Sequence, residues 1–333
     1  MPPRFQSFLI IQTAFIGDVI LATGLIEKLH QHYPEAKIDF LVRKGNEGLL
    51  TGHPLLRIVL IWNKKESKIS NLLKIIKQVR GNRYDCVVNI HRFASSGFIT
   101  AFSGSKLKIG FDKNPISFAF DKKIKHQIGD LHEVQRNQKL IEEITDTNFS
   151  GPKLYPTESD FEKIKSFQHP PYICIAPTSV WFTKQFPVEK WIDFLKSIKS
   201  RDGKIYLLGA PSDHSVCEAI RLAAANEHVV NLAGKLSFLE SAALIKKATM
   251  NFVNDSAPMH LASATNAPVT AIFCSTIPSF GFGPLSNQSI IIETKEKLDC
   301  RPCGLHGFKE CPKGHFKCAF SIRNEELINS LGL

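Results

Sequence analysis

Short runs of consecutive apolar residues alternate with helical segments along almost the whole chain. In the first half the apolar runs predict strands at FLIIQ (8–12), KIDFLV (37–42), RIVLIW (57–62) and YDCVVNI (84–90). Helical periodicity predicts helices over 18–32 and 67–80, and a small-residue helix from Ala94. Strands that are apolar on both faces and separated by helices are typical of a parallel sheet with both faces covered. The first half is therefore predicted to be a doubly wound α/β unit.

The alternation stops at 146–170, where Gly, Pro, Ser and charged residues predict a linker with a short helix. It then resumes, with strands predicted at 172–177, 204–210, 250–254 and 268–274 and helices at 187–200, 213–226, from 237, and 257–265. A chain of 333 residues is long enough for two domains. We therefore predict two Rossmann-like domains, 1–155 and 156–333, with ligands beyond the carboxyl ends of the strands and in the cleft between the domains.

The charge balance favours an anionic partner, because 42 Lys and Arg against 31 Asp and Glu leave a net charge of +11. The lysines are scattered, without a basic stripe interleaved with aromatic residues, so nucleic acid is the least favoured partner. A phosphorylated substrate and an anionic membrane surface remain, beside simple solubility. No apolar run approaches the ~20 residues that span a bilayer, and no cleavage-site pattern follows the first apolar stretch. We expect a cytoplasmic protein.

The first strand-to-helix turn, AFIGDVI, lacks the G-x-G-x-x-G pattern of dinucleotide-binding folds. Gly17 is the only glycine in this turn, and Asp18 follows it at the start of the helix. A carboxylate at that position would repel a phosphate, so the turn argues against a nicotinamide-dependent oxidoreductase. Asp18 fits either an ordinary cap of its helix or a base that accepts a proton.

Three strand ends in the second half carry polar residues at the start of a helix. In NFVNDSAPMHLASAT, Asp255 and Ser256 precede a helix whose free amides could attract a diphosphate, although both residues also suit an ordinary helix cap. In APTSVWFTKQFPVEKW, Lys184 could meet phosphate oxygens or be simply solvated. In LLGAPSD, Asp213 could cap its helix or accept hydrogen bonds from ribose hydroxyls.

Basic residues follow a strand end of the first half, in NIHRFASSGFITAFSGSKLKIGFDKN. We expect His91 and Arg92 to face the ligand cleft, with Lys106, Lys108 and Lys113 nearby. Such groups would suit an acceptor that carries phosphates and carboxylates. A surface cluster of lysines without a ligand is equally compatible with the pattern.

The eight cysteines fall into two groups. Four stand alone in apolar stretches and are predicted to be small core residues: Cys86, Cys174, Cys217 and Cys274. Four lie close together in CRPCGLHGFKECPKGHFKC, with His306 and His315 between them: Cys300, Cys303, Cys311 and Cys318. A structural zinc is one interpretation of this tail, and a reduced cysteine-rich loop is the other, since the second pair lacks the close spacing of strong zinc motifs.

Three stretches in the same order resemble the ADP-heptose:lipopolysaccharide heptosyltransferases of glycosyltransferase family 9: GDVILATGLIEKL, APTSVWFTKQFPVEKW and NDSAPMHLASATNAPVTAIF. The resemblance extends over nearly the whole chain. It implies the GT-B fold, with two Rossmann-like domains facing across a cleft, and inverting transfer of a heptose without an essential metal or cofactor. The donor would be ADP-heptose and the acceptor a lipid A–core oligosaccharide at the cytoplasmic face of the inner membrane.

The same resemblance assigns roles to individual residues. Asp18 takes the place of the catalytic aspartate. Ala257 stands where the family's Asp-Ser/Thr-Gly-x-x-His motif has glycine, and an alanine keeps the amide donor but limits close approach of the backbone. Asp213 stands where the family has a glutamate that contacts ribose. The implied donor-binding residues are Thr178, Lys184, Asp213, Asp255, Ser256, Ala257 and His260. Another nucleotide sugar, an oxidoreductase and a non-catalytic binding module remain as alternatives.

Overall fold

The computed structural model describes residues 5–129, 131–169, 171–198 and 203–332. The chain divides into two compact units, unit 1 (Met1–Tyr155) and unit 2 (Pro156–Leu333). Each unit contains one parallel six-stranded sheet. The predicted doubly wound α/β fold class is confirmed.

Unit 1 contains the first six strands, in the spatial order β3-β2-β1-β4-β5-β6. The strands are β1 (Ser7–Ile11), β2 (Lys37–Arg43), β3 (Ile58–Trp62), β4 (Cys86–Asn89), β5 (Leu107–Phe111) and β6 (Lys122–Ile124). The α-helices are α1 (Ile16–His32), α2 (Lys68–Gly81), α3 (Ala94–Ala101) and α4 (Glu133–Gln138). The strand order reverses between β1 and β4, which is where doubly wound sheets bind ligands.

Unit 2 repeats this arrangement, with β7 as its first strand and the order β12-β11-β10-β7-β8-β9. The strands are β7 (Tyr172–Ala176), β8 (Lys204–Leu207), β9 (Val229–Asn231), β10 (Met250–Asn254), β11 (Val269–Phe273) and β12 (Ser289–Glu293). The α-helices are α5 (Glu158–Lys163), α6 (Val188–Ser197), α7 (His214–Ala224), α8 (Phe238–Lys247), α9 (Ala257–Thr265), α10 (Lys317–Phe320) and α11 (Asn324–Asn329). Its reversal point lies between β7 and β10.

The two cores account for the apolar strands of the sequence. Leu9, Leu41 and Val87 pack in the unit 1 core under α2 and α3, and Trp191 and Phe252 pack in the unit 2 core. The prediction for the isolated cysteines is confirmed, because all four are buried: Cys86, Cys174, Cys217 and Cys274. None of the described helices is long and apolar enough to cross a membrane.

Most helix and strand predictions are confirmed, with differences at the ends. Helix α1 begins at Ile16, two residues before the predicted start, so Asp18 lies inside its first turn. Helix α6 ends at Ser197, and residues 199 and 200 of that prediction lie outside the described residues. Strands β5, β6, β9 and β12 were not predicted. They are edge or next-to-edge strands with partly exposed residues, so they lack the continuous apolar run that identifies a central strand.

Candidate functional site

The reversal point of the unit 2 sheet brings together the loops after β7 and β10. Asn254, the last residue of β10, connects these two loops. Its Nδ2 donates to the carbonyl oxygens of Ala176 and Thr178, each at 3.4 Å, and its Oδ1 accepts the backbone N–H of Phe186 at 2.9 Å. One buried amide side chain therefore holds Thr178 beside the end of β10, and holds the residues after Lys184 as well.

Lys184 and Asp255 form an ion pair at this point, with Nζ 2.7 Å from Oδ2. The lysine side chain is 14% exposed and the aspartate side chain 8%. Thr276 Oγ1, beyond the end of β11, donates to the same carboxylate oxygen at 2.6 Å. Because an ammonium has three N–H donors, the pair with Asp255 leaves Lys184 with donors for an incoming anion. The structure thus brings together two of the predicted donor-binding residues.

The start of α9 contains the remaining residues of the motif. Ser256 is the N-cap residue, but within the described part of the chain its hydroxyl donates to Asn254 O at 3.4 Å and does not cap the helix. Ala257 is the first helical residue, and Pro258 has no N–H, so the first turn offers an anion fewer amides than an ordinary helix. His260 is buried on the same turn.

Asp213 lies after β8, at the end of the short 3₁₀ turn Pro211–Asp213 that leads into α7. Its Oδ2 accepts the backbone N–H of Ala210 at 2.7 Å. The sequence analysis gave two possible roles for Asp213, capping its helix or contacting ribose. This hydrogen bond is a local contact of the capping type. One carboxylate oxygen is engaged in this way, and the prediction that Asp213 contacts ribose stays a prediction.

The cysteine-rich segment packs directly against the Lys184 turn. Phe308 N–H donates to Thr183 Oγ1 at 2.8 Å, and Thr183 N–H donates to Phe308 O at 3.1 Å. Ser275 Oγ donates to the same Thr183 hydroxyl at 3.0 Å, and its carbonyl accepts the N–H of Cys303 at 2.8 Å. Gly307 has φ +74°, and an added Cβ would lie 2.8 Å from Thr183 Oγ1 and 3.0 Å from the Lys184 side chain. The segment therefore supports the turn that carries Lys184.

The four clustered cysteines line one cavity of about 310 Å³: Cys300, Cys303, Cys311 and Cys318. Cys300 Sγ lies 3.9 Å from His315 Nε2. Burial first, and then the neighbouring Cys303 and Cys311 thiols, raise the pKa of the Cys318 thiol to about 12. In the part of the chain that the structure describes, no three His, Cys, Asp or Glu side chains converge as metal ligands would. A structural zinc and a reduced cysteine-rich loop both stay predictions.

In unit 1, Asp18 is the third residue of α1, close to the end of β1. Its Oδ2 accepts the backbone N–H of Phe15 at 3.1 Å, which is the contact of a helix cap. The carboxylate also lies within electrostatic range of Glu133 on α4, whose pKa is raised by burial first and also by Asp18. Arg136 pairs with Glu133 at 2.8 Å, and both side chains are nearly buried. Glu133 and Arg136 are candidate site residues that the sequence reasoning missed.

His91 follows β4 and is buried beside the end of β1. Its Nδ1 lies 3.3 Å from Thr13 Oγ1, and Lys64 Nζ donates to the same hydroxyl at 2.7 Å. Because Lys64 donates to Thr13 Oγ1, the hydroxyl proton of Thr13 can be donated to Nδ1 of a neutral His91 imidazole. Burial first, and then the charges of Lys64, Arg92 and Arg43, lower the pKa of His91 to about 3. Burial, and then Arg43, lower the pKa of Lys64 to about 8.

The structure thus places His91 and Arg92 at the reversal point of the unit 1 sheet, together with Arg43 and Lys64, which the sequence reasoning missed. Arg43 ends β2, and its guanidinium lies 4.9 Å from the centre of the Phe15 ring. A signal was present in the sequence, since both basic residues stand at or just after the end of an apolar run. Long side chains after neighbouring parallel strands reach the same edge of the sheet.

Two of the three lysines expected near His91 make ion pairs elsewhere. Lys106 pairs with Asp85 at 2.8 Å, before β4 and therefore at the opposite edge of the sheet. Lys108 pairs with Asp121 at 2.9 Å. The expectation for Lys106 is wrong, because α3 returns the chain to the amino ends of the strands before β5 begins. Lys113 is exposed after the carboxyl end of β5.

Comparisons with known proteins agree with this geometry. Residues 72–306 match the sequence pattern of glycosyltransferase family 9 (heptosyltransferase). The chain is 30% identical over 282 residues to lipopolysaccharide heptosyltransferase 3 of Escherichia coli K12, covering 78% of this chain and 80% of that protein.

Two solved structures have the same fold. The glycosyltransferase family 9 structure from Veillonella parvula gives a TM-score of 0.86 at 19% identity, covering 100% of this chain and 97% of that one. The ADP-heptose lipopolysaccharide heptosyltransferase II of Escherichia coli gives 0.82 at 21% identity, covering 98% and 97%. These likenesses confirm the GT-B fold class.

Proposed function

Because the chain belongs to glycosyltransferase family 9, we propose that it transfers a heptose from ADP-heptose to the inner core of a lipopolysaccharide acceptor. The names of its relatives support the substrates, since the curated relatives include lipopolysaccharide heptosyltransferases 1, 2 and 3. The observation that carries the proposal is the Lys184–Asp255 pair at the reversal point of the unit 2 sheet. We propose that the reaction takes place at the cytoplasmic face of the inner membrane.

Unit 2 is the proposed donor-binding unit. Lys184 is held at the strand ends by Asp255, so its ammonium is already in position before a ligand arrives. A diphosphate that contacts this ammonium and the amide of Ala257 would find positive charge where negative charge develops on the leaving ADP. Thr178, Asp213, Ser256 and His260 complete the proposed donor site.

Unit 1 is the proposed acceptor-binding unit and supplies the base. In inverting transfer the acceptor hydroxyl attacks the anomeric carbon as the bond from that carbon to the diphosphate oxygen breaks. The electron pair of the breaking bond leaves with ADP, and the proton of the acceptor hydroxyl passes to Asp18. The start of α1 favours the ionised form of Asp18, which must be ionised to accept this proton.

The basic residues of unit 1 support an anionic acceptor. His91, Arg92, Arg43 and Lys64 surround the end of β1 with positive charge, and the low pKa of His91 leaves that imidazole neutral at physiological pH. When Nδ1 of this neutral imidazole accepts from Thr13, the proton lies on Nε2, which can donate to a sugar hydroxyl oxygen. We propose that the guanidinium groups bind phosphate or carboxylate groups of the lipopolysaccharide core.

Asp18→Asn tests the base. Asparagine can still accept the Phe15 N–H through Oδ1 but cannot take a proton, so helix capping and general-base catalysis are separated. We expect an unchanged melting temperature, near-normal donor affinity and a transfer rate reduced by a factor of ~100 or more. The exposed Asp193→Asn is the matched control. Transfer by Asp18→Asn at close to the wild-type rate would leave Asp18 with the capping role alone.

A panel of possible donors tests which sugar nucleotide the protein binds. The panel is needed because none of the described side chains has been assigned to the heptose itself. The purified chain is heated with ADP-, UDP- and GDP-sugars and with NADH. We expect a rise in melting temperature with ADP-sugars, and the largest rise with ADP-heptose. Stabilisation by UDP- or GDP-sugars alone would indicate the same fold with another donor, and stabilisation by NADH alone would contradict a glycosyltransferase.

A further inference from the structure

Helices α2 and α3 of unit 1 expose large apolar side chains in two helical pairs. On α2, Ile69 is 77% exposed and Leu73 is 61% exposed, and they are four residues apart. On α3 and its C-cap, Phe98 and Phe102 are likewise four residues apart and exposed, with their rings stacked at 6.4 Å. Residues at this spacing lie on one face of a helix. We call these four residues the α2–α3 patch.

The two helices are neighbours, and their inner faces share one core. Ile75 and Val79 of α2 and Ile99 of α3 are buried in the same cluster. Arg80 of α2 lies close to the end of α3, since an added Cβ on Gly104 would be 3.6 Å from its Cγ. The exposed pairs therefore lie on neighbouring helices whose other faces already form the core. The four patch side chains remain 39–77% exposed in unit 1.

The charged side chains within these two helices have one sign. Helix α2 contains four basic residues and no acidic residue: Lys68, Lys74, Lys77 and Arg80. Helix α3 contains no charged residue at all. Arg80 falls two and three turns after Leu73 and Ile69, on the same side of α2, and Lys77 flanks that side. An apolar stripe bordered by basic groups is the pattern of a helix that lies in an anionic lipid interface.

We propose that the α2–α3 patch docks unit 1 on an anionic bilayer surface. The apolar side chains enter the boundary between head groups and acyl chains, while the basic residues contact lipid phosphates. A second copy of the chain fits less well, because two such surfaces would bring their basic residues face to face. The inference rests on the proposed function, in which the acceptor is a membrane lipid.

Vesicle sedimentation tests the proposal with the full chain. The probe is a vesicle of phosphatidylglycerol and phosphatidylethanolamine. Ile69→Ser combined with Leu73→Ser, and Phe98→Ser combined with Phe102→Ser, should each weaken binding by about tenfold or more. Val180→Ser combined with Leu222→Ser is the matched control, because these unit 2 residues are 78% and 62% exposed. Equal loss in the control, or no loss in the patch variants, would overturn the proposal.

Salt separates the two components of binding. The Debye length falls from ~10 Å at 0.1 M to ~3 Å at 1 M, so the electrostatic part should weaken with salt and the apolar part should persist. Lys74→Glu combined with Lys77→Glu should remove the salt-sensitive part. In the patch variants the remaining binding should be lost at high salt. Binding in wild type that disappears completely at high salt would show that no apolar side chain inserts.

A fluorescent variant gives a readout that does not depend on loss of binding. Leu73→Trp introduces an indole at an exposed position, where it costs the fold little. Its emission should shift to shorter wavelength with anionic vesicles and be quenched by brominated acyl chains. An unshifted emission with bound vesicles would overturn the proposal, as would a dimer in size-exclusion chromatography that the patch variants abolish.

Two acceptor forms separate this inference from the proposed function. The patch variants should transfer sugar to a water-soluble, deacylated core oligosaccharide at the wild-type rate, and should lose transfer to an acceptor embedded in vesicles. If wild type transferred to neither acceptor while vesicle binding still followed the patch, the proposed function would fail and the docking surface would stand. Equal activity of the patch variants on both acceptors would contradict the docking surface alone.

Discussion

At the scale of single residues, Lys184 carries most of the proposed donor chemistry. Its ammonium is the cation that we propose for the diphosphate, and its removal also leaves the nearly buried Asp255 without this ion-pair partner. Hydrogen bonds to charged groups contribute about 1.5–3 kcal/mol, so Lys184→Ala should raise the dissociation constant for the donor by roughly 10- to 100-fold. Isothermal titration checks this, with the exposed Lys196→Ala as the control. Equal affinities for the two variants would remove Lys184 from the donor site.

The same residue makes a prediction about metal ions. If Lys184 and the start of α9 supply the positive field for the leaving diphosphate, transfer should continue in EDTA at close to the untreated rate. The control is the rate after magnesium is added back. A rate that is abolished by EDTA and restored by magnesium would assign charge stabilisation to a bound cation.

At the scale of elements, the cysteine-rich segment positions the Lys184 turn through Gly307. In Gly307→Ala the added methyl would press on Thr183 Oγ1 and the Lys184 side chain. We expect a several-fold rise in the KM for the donor with a smaller change in kcat, because the binding group moves while the base does not. Gly314→Ala is the matched control, since Gly314 has φ +71° and no atom within 4 Å of an added Cβ. A rise in KM in both variants would indicate backbone strain alone.

At the scale of the whole molecule, buried histidines predict that unit 1 is sensitive to acid. Burial is the main cause that lowers the pKa of His53 to about 4 and that of His91 to about 3. Between these values and about pH 6.5 the unfolded chain binds protons that the folded chain does not, so stability falls as pH falls through this window. Each histidine should contribute a slope of about 1.4 kcal/mol per pH unit.

Urea unfolding at several pH values checks this slope. His53→Gln and His91→Gln should each flatten the dependence of unfolding free energy on pH below about pH 6.5, and the double variant should flatten it most. Unit 1 should unfold first on acidification. An unchanged slope in the double variant would show that other groups cause the sensitivity to acid.

The sequence by itself determined the fold class and most of the central strands and helices. Periodicity was sufficient, because a strand buried on both faces must be continuously apolar and a packed helix must be apolar at every third or fourth residue. The positions at strand ends also identified Asp18, Lys184 and Asp255 as candidates, since ligands of doubly wound sheets bind there. The resemblance to a family added the chemistry that these positions would perform.

Only the tertiary structure decided which of these residues meet. Lys184 and Asp255 are 71 positions apart and pair because β7 and β10 are neighbours in the sheet. Lys106 failed as a site residue because it pairs with Asp85 at the opposite edge of the sheet. Gly307 contacts the Lys184 turn, and α2 and α3 expose apolar faces that a pattern of periodicity alone would place in the core. Local sequence sets which residues can be buried, whereas the order of the strands sets what they are buried against.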